Sequence, residues 1–505
     1  MRKILINLLC LLSLTACQDF LDVNPNSSLE TNIDSEEKIA ELLTGAYPEA
    51  SYINFLESRT DNVSERLKGD QNRLNEAMYF WQDYDQEDID TPLNYWNACY
   101  AGIAKVNKAL EVLPNFPKTP RVKALYGEAF LLRAYLHFML VNIWCEPYGT
   151  VKSETDLGIP YMTKPEKNAL VKYDRGTVAE VYRQIERDLK FGITLVDDTY
   201  YKFPKYHFNK AAAYAFASRF YLMKGEWDTV LQYANYVLGK DPKKVLRKWG
   251  NGFDKDLSLA YDYTKAEQPC NLLLTTTESR LVRELDNQKY GPTLDGVTEI
   301  FDNKGIDGCS SYKKLNLRSF FPFVQSQKAT NGYFIPKFIE VDQHGATGER
   351  PRGLYVTNVL FTTDEVMLNR MEALTMLQRY DDAVIELQDF MWAKYELEIP
   401  CPKESYLWTS TDNYDLYTPF YGLTVQQLAL VKTLTDFRQK EFFHEGLRWF
   451  DIRRFYLPVK RKTKNSNYRP LEKEDFRKVL QIPIEAINRG LEPNPRLIED
   501  QHYHP

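Results

Sequence analysis

The chain has 505 residues, a formal net charge of −6, and 34 tyrosines against 27 phenylalanines. That length allows one large domain or two to three smaller ones, and the mildly acidic balance excludes the broad basic surface that nucleic acid requires. Seven scattered cysteines with no CxxC pair exclude a zinc knuckle or a disulfide framework; Cys99, Cys145, Cys270, Cys309 and Cys401 read as buried free thiols.

At the N-terminus Arg2 and Lys3 precede the uncharged, mostly apolar run Ile4 to Ala16, the pattern of a secretory signal and too short for the roughly 20 residues of a spanning helix. The run ends at Leu14-Thr15-Ala16-Cys17, which resembles the bacterial lipobox, so Cys17 is the expected lipidation site and residues 1–16 the signal peptide. Loss of Arg2 and Lys3 takes the formal charge from −6 to −8. Two or three acyl chains anchor a protein stably to a bilayer. The acidic stretch Gln18-Asp19-Phe20-Leu21-Asp22 resembles an export signal to the outer face in Bacteroides-type bacteria, and residues 17–32 read as a polar tether. No later run reads as a membrane span.

The next segment carries Asp61, Asn62, Asp70, Asn72, Arg73, Tyr79, Trp81, Asp83, Tyr84 and Asn94. Pyranose rings offer C–H faces that stack on aromatics and hydroxyl rims that need planar hydrogen-bonding side chains, so such interleaving is the pattern a sugar site needs. Trp81 is the leading candidate, whereas Trp96 is expected to pack at its helix start. Asp83, Asp85, Glu87, Asp88 and Asp90 offer oxygens that could suit Ca²⁺, but no EF-hand glycine or closing glutamate follows. They read as a solvated loop, and no cofactor is implied.

Helical periodicity then dominates. Trp96 to Leu113 and Arg121 to Trp144 are separated by Pro114 and Pro117, where a helix must stop, and Asp174 to Leu195 forms an amphipathic third. Asn209 to Pro242 has the spacing of a tetratricopeptide (TPR) helix pair, with Tyr214, Ala217, Ser218, Tyr221, Val230, Ala234, Val237 and Pro242 at the packing positions. A looser second unit runs from Asp364 to about Trp392. Between them, residues 250–352 lack helical periodicity and read as a loop-rich insertion with a few short strands. Asn287, Tyr290, Tyr312, Phe320, Phe321 and Tyr333 make this a second candidate ligand surface. Residues 403–423 are a smaller stretch of the same texture. Val425 to Phe455 reads as a long, aromatic-rich helical segment, with Glu441, Glu445, Arg448 and Asp451 at three- and four-residue steps; these are expected to form a buried ion network, with Phe443, Leu447 and Phe450 as the apolar face. The expected architecture is an all-α, TPR-like superhelix over residues 33–505, with helical pairs near 96–144, 174–242, 364–395 and 425–456.

Several blocks together resemble the SusD/RagB family of outer-membrane nutrient-binding lipoproteins. They are Phe20-Leu21-Asp22-Val23-Asn24-Pro25, Trp96-Asn97-Ala98-Cys99-Tyr100 with Ile103 and Asn107, Leu132-Arg133-Ala134-Tyr135, Arg175-Gly176-Thr177-Val178, Asp364-Glu365-Val366-Met367-Leu368, and Arg438 to Arg454. Met371-Glu372-Ala373 departs from the family's Ala-Glu-Ala, and the usual C-terminal ending is missing. The resemblance implies a cell-surface protein, lipid-anchored in the outer membrane, that captures an oligosaccharide or polysaccharide and delivers it to a SusC-like TonB-dependent transporter. In the RagB branch the cargo is peptide. It implies no enzyme, and GxSxG, HExxH and P-loop motifs are absent from the sequence. A glycosidase needs only two carboxylates across a cleft, a pattern sequence alone does not reveal, but the helical scaffold argues against it.

Overall fold

The computed structural model describes residues 33–166, 172–249, 258–303, 324–327, 331–342, 353–395, 417–464 and 468–497. Side-chain caps start most of the helices by satisfying amides that the first turn leaves unpaired. Ser35 caps α1 (Glu36–Thr44), Asn72 caps α3 (Arg73–Tyr79) beyond the uncapped α2 (Ile53–Arg59), and Thr91 and Thr119 cap α4 (Pro92–Val112) and α5 (Pro120–Trp144). Thr177 and Glu180 form a reciprocal capping box on α6 (Val178–Leu195). Asn209 caps α7 (Lys210–Lys224), which ends at left-handed Gly225 before α8 (Trp227–Leu238). Three short helices follow, α9 (Ser258–Tyr263), α10 (Leu281–Asn287) and α11 (Leu294–Thr298). The C-terminal third supplies α12 (Thr363–Met376), α13 (Tyr380–Tyr395), α14 (Val425–Glu441), α15 (Arg448–Arg454) and α16 (Ile484–Asn488).

Consecutive long helices pack as neighbours: α4 on α5, α5 on α6, α7 on α8, and α12 on both α8 and α13. The two TPR-like units thus lie side by side, as the small residues Ala217, Ser218 and Ala234, all fully buried, allow. Among the described residues one helix, α5, is long and apolar enough to cross a membrane, contrary to the sequence expectation, but 89% of its apolar window is buried inside the fold. It is the central helix against which α4 and α6 pack.

The insertion contains helices α9 to α11 as well as strands. β1 (Ser64–Glu65) pairs antiparallel with β3 (Tyr290–Gly291). β2 (Asn271–Glu278) pairs with β7 (Leu354–Thr362), and β7 with β6 (Glu340–Asp342), giving the order β2-β7-β6. β4 (Val324–Gln327) and β5 (Gly332–Phe334) form a separate hairpin. The sheet therefore runs past residue 352, and β7 leads directly into α12.

The helical segment over Val425 to Phe455 comprises two helices, α14 and α15. Between α14 and α15 the chain turns at His444 and Gly446, both at positive φ (73° and 71°). Glu57 on α2 fixes this turn by accepting hydrogen bonds from the backbone amides of His444 (2.9 Å) and Gly446 (3.0 Å). The expected ion network does form, but across separate elements. Arg448 pairs with Asp61, Asp451 with Arg438 and Arg454, and Arg454 with Glu372.

Candidate ligand-binding site

The residues singled out between Asp61 and Asn94 do not form one exposed platform. Trp81 is 2% exposed. Its indole donates to the Arg59 carbonyl (2.9 Å), and the Arg461 guanidinium lies 4.2 Å from its ring centroid. Tyr79 is buried too, stacked on Tyr290 at 4.3 Å. Asp61 makes a two-pronged pair with Arg448 (2.9 and 2.8 Å), and Asn62 is buried between Glu57 and Gln439. These side chains fasten the early loops to the C-terminal half. Tyr290 donates to Glu76 at 3.4 Å and remains only partly exposed.

Asp70 and Arg73 are exposed and Tyr84 half-exposed, beside exposed Arg283 and Asn287. The acidic loop is tied down by arginines: Asp83 pairs with Arg496 and Asp88 with Arg280. Asp90 is buried, accepts from Ser279 and the Arg280 amide, and has its carboxyl pushed up to about 7 by burial. Asn94 and Tyr333 are half-buried. Cys17, Tyr312, Phe320 and Phe321 lie outside the described residues.

A groove of about 660 Å³ opens along α4, within the range of roughly 300–1,000 Å³ typical of ligand pockets. Its floor is α4 itself, through Trp96, Asn97, Tyr100 and Asn107. Trp96 rests on Trp144 and Tyr100, both with ring centroids at 5.0 Å, so it packs at its helix start as expected and also forms the groove's apolar base.

One wall is the segment from Pro160 to Glu166, together with Lys172 and Tyr173. Tyr100 donates to the Pro160 carbonyl (3.1 Å) and Asn107 to that of Met162 (3.0 Å). The Met162 amide donates to His137 Nε2 (3.0 Å), while Nδ1 of the same ring sits 2.8 Å from the Arg133 carbonyl. Burial pushes His137 down to about 3, so the ring is neutral, with Nδ1 the donor and Nε2 the acceptor. Tyr161 stacks on that ring at 3.8 Å and donates to Asp188, which Arg133 also grips. The wall is thus held by a largely buried polar network.

The opposite wall comes from the other end of the chain, through Pro483, Glu485, Asn488, Arg489 and Leu491. Asn494 anchors it by donating to the carbonyls of Trp144 and Leu480 (both 2.8 Å) and accepting from Arg175 (2.8 Å). Aromatic surface therefore meets amides and charges of both signs in a sugar-sized trough. The sequence had marked Trp96, Tyr100 and Asn107 as helix residues only. Tyr173, Asn488 and Arg489 went unread because each stands in an ordinary polar stretch, and only the fold brings them together.

The fold is of the TPR-like superhelical class, and it bears an aromatic and amide-lined groove. Residues 19–222 match the SusD-like family described as starch-binding and associating with the outer membrane. A SusD-like protein, P2, from Formosa agariphila is 25% identical over 250 residues, 47% of this chain and 46% of that protein, so the match spans about half the length of that relative. A SusD superfamily structure from Bacteroides thetaiotaomicron superposes with a TM-score of 0.67 at 19% identity, covering 92% of this chain and 100% of that one. A laminarin-binding SusD-like protein gives 0.60 at 16% identity, covering 92% and 99%. The chain thus resembles SusD-like proteins in sequence over residues 19–222 and shares the fold of SusD superfamily structures over 92% of its length.

Proposed function

We propose that this protein binds an oligosaccharide or polysaccharide in the groove along α4, without altering it, and hands it to a SusC-like TonB-dependent transporter. In this reading Cys17 carries the lipid anchor and the protein sits on the outer surface of the outer membrane. The observation that carries the reading is the pairing of part-exposed aromatic rings (Tyr100, Tyr173), over the buried Trp96, with planar amides (Asn97, Asn488) in one trough. The starch-binding description of the matched family and the laminarin-binding structural relative point the same way. The exposed remainder of the early loops, Asp70, Arg73 and Tyr84 with Asn287, is a second, shallower sugar-facing surface. Tyr290 of the insertion lies beside it.

Isothermal titration calorimetry of the chain starting at Gln18, against plant, mucin and microbial polysaccharides and a peptide digest, tests the reading. One glycan class is expected to bind, and Tyr173→Ala with Asn488→Ala to weaken it about tenfold or more, since each lost contact is worth on the order of 1 kcal/mol. Loss on Arg73→Ala with Tyr84→Ala instead would move the site to the early loops. Heat from peptides alone would replace the glycan reading with a peptide-binding one. Chromatography of the recovered glycan is expected to show it unshortened, and shortened products would make the protein an enzyme.

A further inference from the structure

Away from any ligand surface, three charged side chains meet in the dry interior where α12, α13 and α14 converge. Lys394, in the last turn of α13, reaches Asp364, in the first turn of α12, and Glu441, at the end of α14 (2.6 Å to the latter). All three side chains are at most 2% exposed. The Lys394 nitrogen lies 5.3 Å from the Phe390 ring centre and 5.9 Å from that of Trp249. The Trp249 indole donates to the other Glu441 oxygen at 2.9 Å. The backbone amide of Arg247 donates to Asp364 Oδ1 at 3.0 Å, while Asp364 Oδ2 is buried with no hydrogen-bond partner. Lys337, Glu445 and Arg247 complete the surroundings, so three acids face three bases.

We propose that Lys394 and Asp364 become joined through their side chains by an amide bond, with Glu441 relaying the proton. In the proposed reaction the Lys394 ammonium, 2.6 Å from Glu441 Oε1, passes a proton to that carboxylate and leaves a free amine beside Asp364. Burial raises the Glu441 carboxyl, which suits it to hold that proton. The free amine attacks Cγ of Asp364, and the Nζ–Cγ bond forms as the Cγ–Oδ2 bond breaks. Charge developing on Oδ1 is met by the Arg247 amide. Glu441 delivers to Oδ2 the proton it took from the ammonium, then takes a second from the nitrogen and delivers that too, so that Oδ2 leaves as water and Glu441 is returned as a carboxylate. An ammonium and a carboxylate thus become an amide and one water, with no oxidant, reductant or other co-reactant. Fixed neighbours of this kind react with effective molarities of about 10⁵ M or more. The product ties the start of α12 to the end of α13, so that a TPR-like hairpin is closed covalently without a disulfide.

Trypsin digestion of the folded protein followed by mass spectrometry tests this. The expected product is one branched peptide in which Gly353–Arg370 is joined to Tyr380–Lys403, lighter by one water than the two pieces and uncut after Lys394. Three linear peptides, Gly353–Arg370, Tyr380–Lys394 and Tyr395–Lys403, overturn the proposal. Glu441→Gln is expected to abolish the branched peptide; a folded Glu441→Gln protein that still yields it removes the relay role. Should that variant fail to fold, Trp249→Phe takes its place. It frees the Glu441 oxygen and is expected to slow appearance of the branched peptide after refolding several-fold, and an unchanged rate again removes the relay.

Discussion

Residue type was legible for Trp81, but its surroundings were not. An aromatic among acids and amides suggests an exposed sugar platform, yet its covering partner, Arg461, comes from the far end of the chain. Trp81→Ala should therefore act first on stability, costing about 3–5 kcal/mol as a large buried side chain is removed. A urea titration would show this as a lower midpoint. Asp90 carries a pH prediction. Its folded carboxyl titrates at about 7 against 3.8 ordinarily, so between those values the folded chain holds a proton that the unfolded chain has lost. Stability from this group is complete below about pH 4 and is lost as pH rises through 7. At ~1.4 kcal/mol per unit the upper bound is a few kcal/mol. Comparing urea midpoints at pH 5 and pH 8, Asp90→Asn should shrink the drop seen in the wild type; an unchanged drop would assign it to other groups.

Element assignments followed the sequence where a period and a stop signal agreed. Proline and glycine punctuate the breaks before α5 and after α7, and small residues mark the close approach of α7 and α8. The break between α14 and α15 was hidden because Phe443, Leu447 and Phe450 continue the apolar spacing straight through it. What bends the chain there is Glu57, far away in sequence. Gly446→Ala tests the turn. At φ 71° an added Cβ would meet Leu56 Cβ at 3.2 Å and the Ile53 carbonyl at 3.3 Å. The expected loss is about 1–2 kcal/mol, read as a lower thermal midpoint. A variant as stable as the wild type would mean that the turn accommodates a side chain.

At the scale of the whole molecule, the groove has one wall from the N-terminal half and one from the last described residues, which is why no local motif announced it. Asn494 holds the second wall, so Asn494→Ala should leave the buried Trp144 and Leu480 carbonyls and Arg175 short of a partner, at about 1–3 kcal/mol. Hydrogen exchange should speed up in residues 481–491 while the α7–α8 pair stays protected, and glycan affinity should fall with it. Equal loosening of both regions would show that Asn494 supports the entire fold. This clasp also bears on biogenesis. A chain is made from its N-terminus onward, and its early parts fold as they emerge. Helices α4 and α5 are complete long before Asn494 leaves the ribosome, so a prematurely terminated chain would build most of the scaffold and still lack the second wall. On the proposed reading, capture would begin only once the chain through Asn494 had been made and folded.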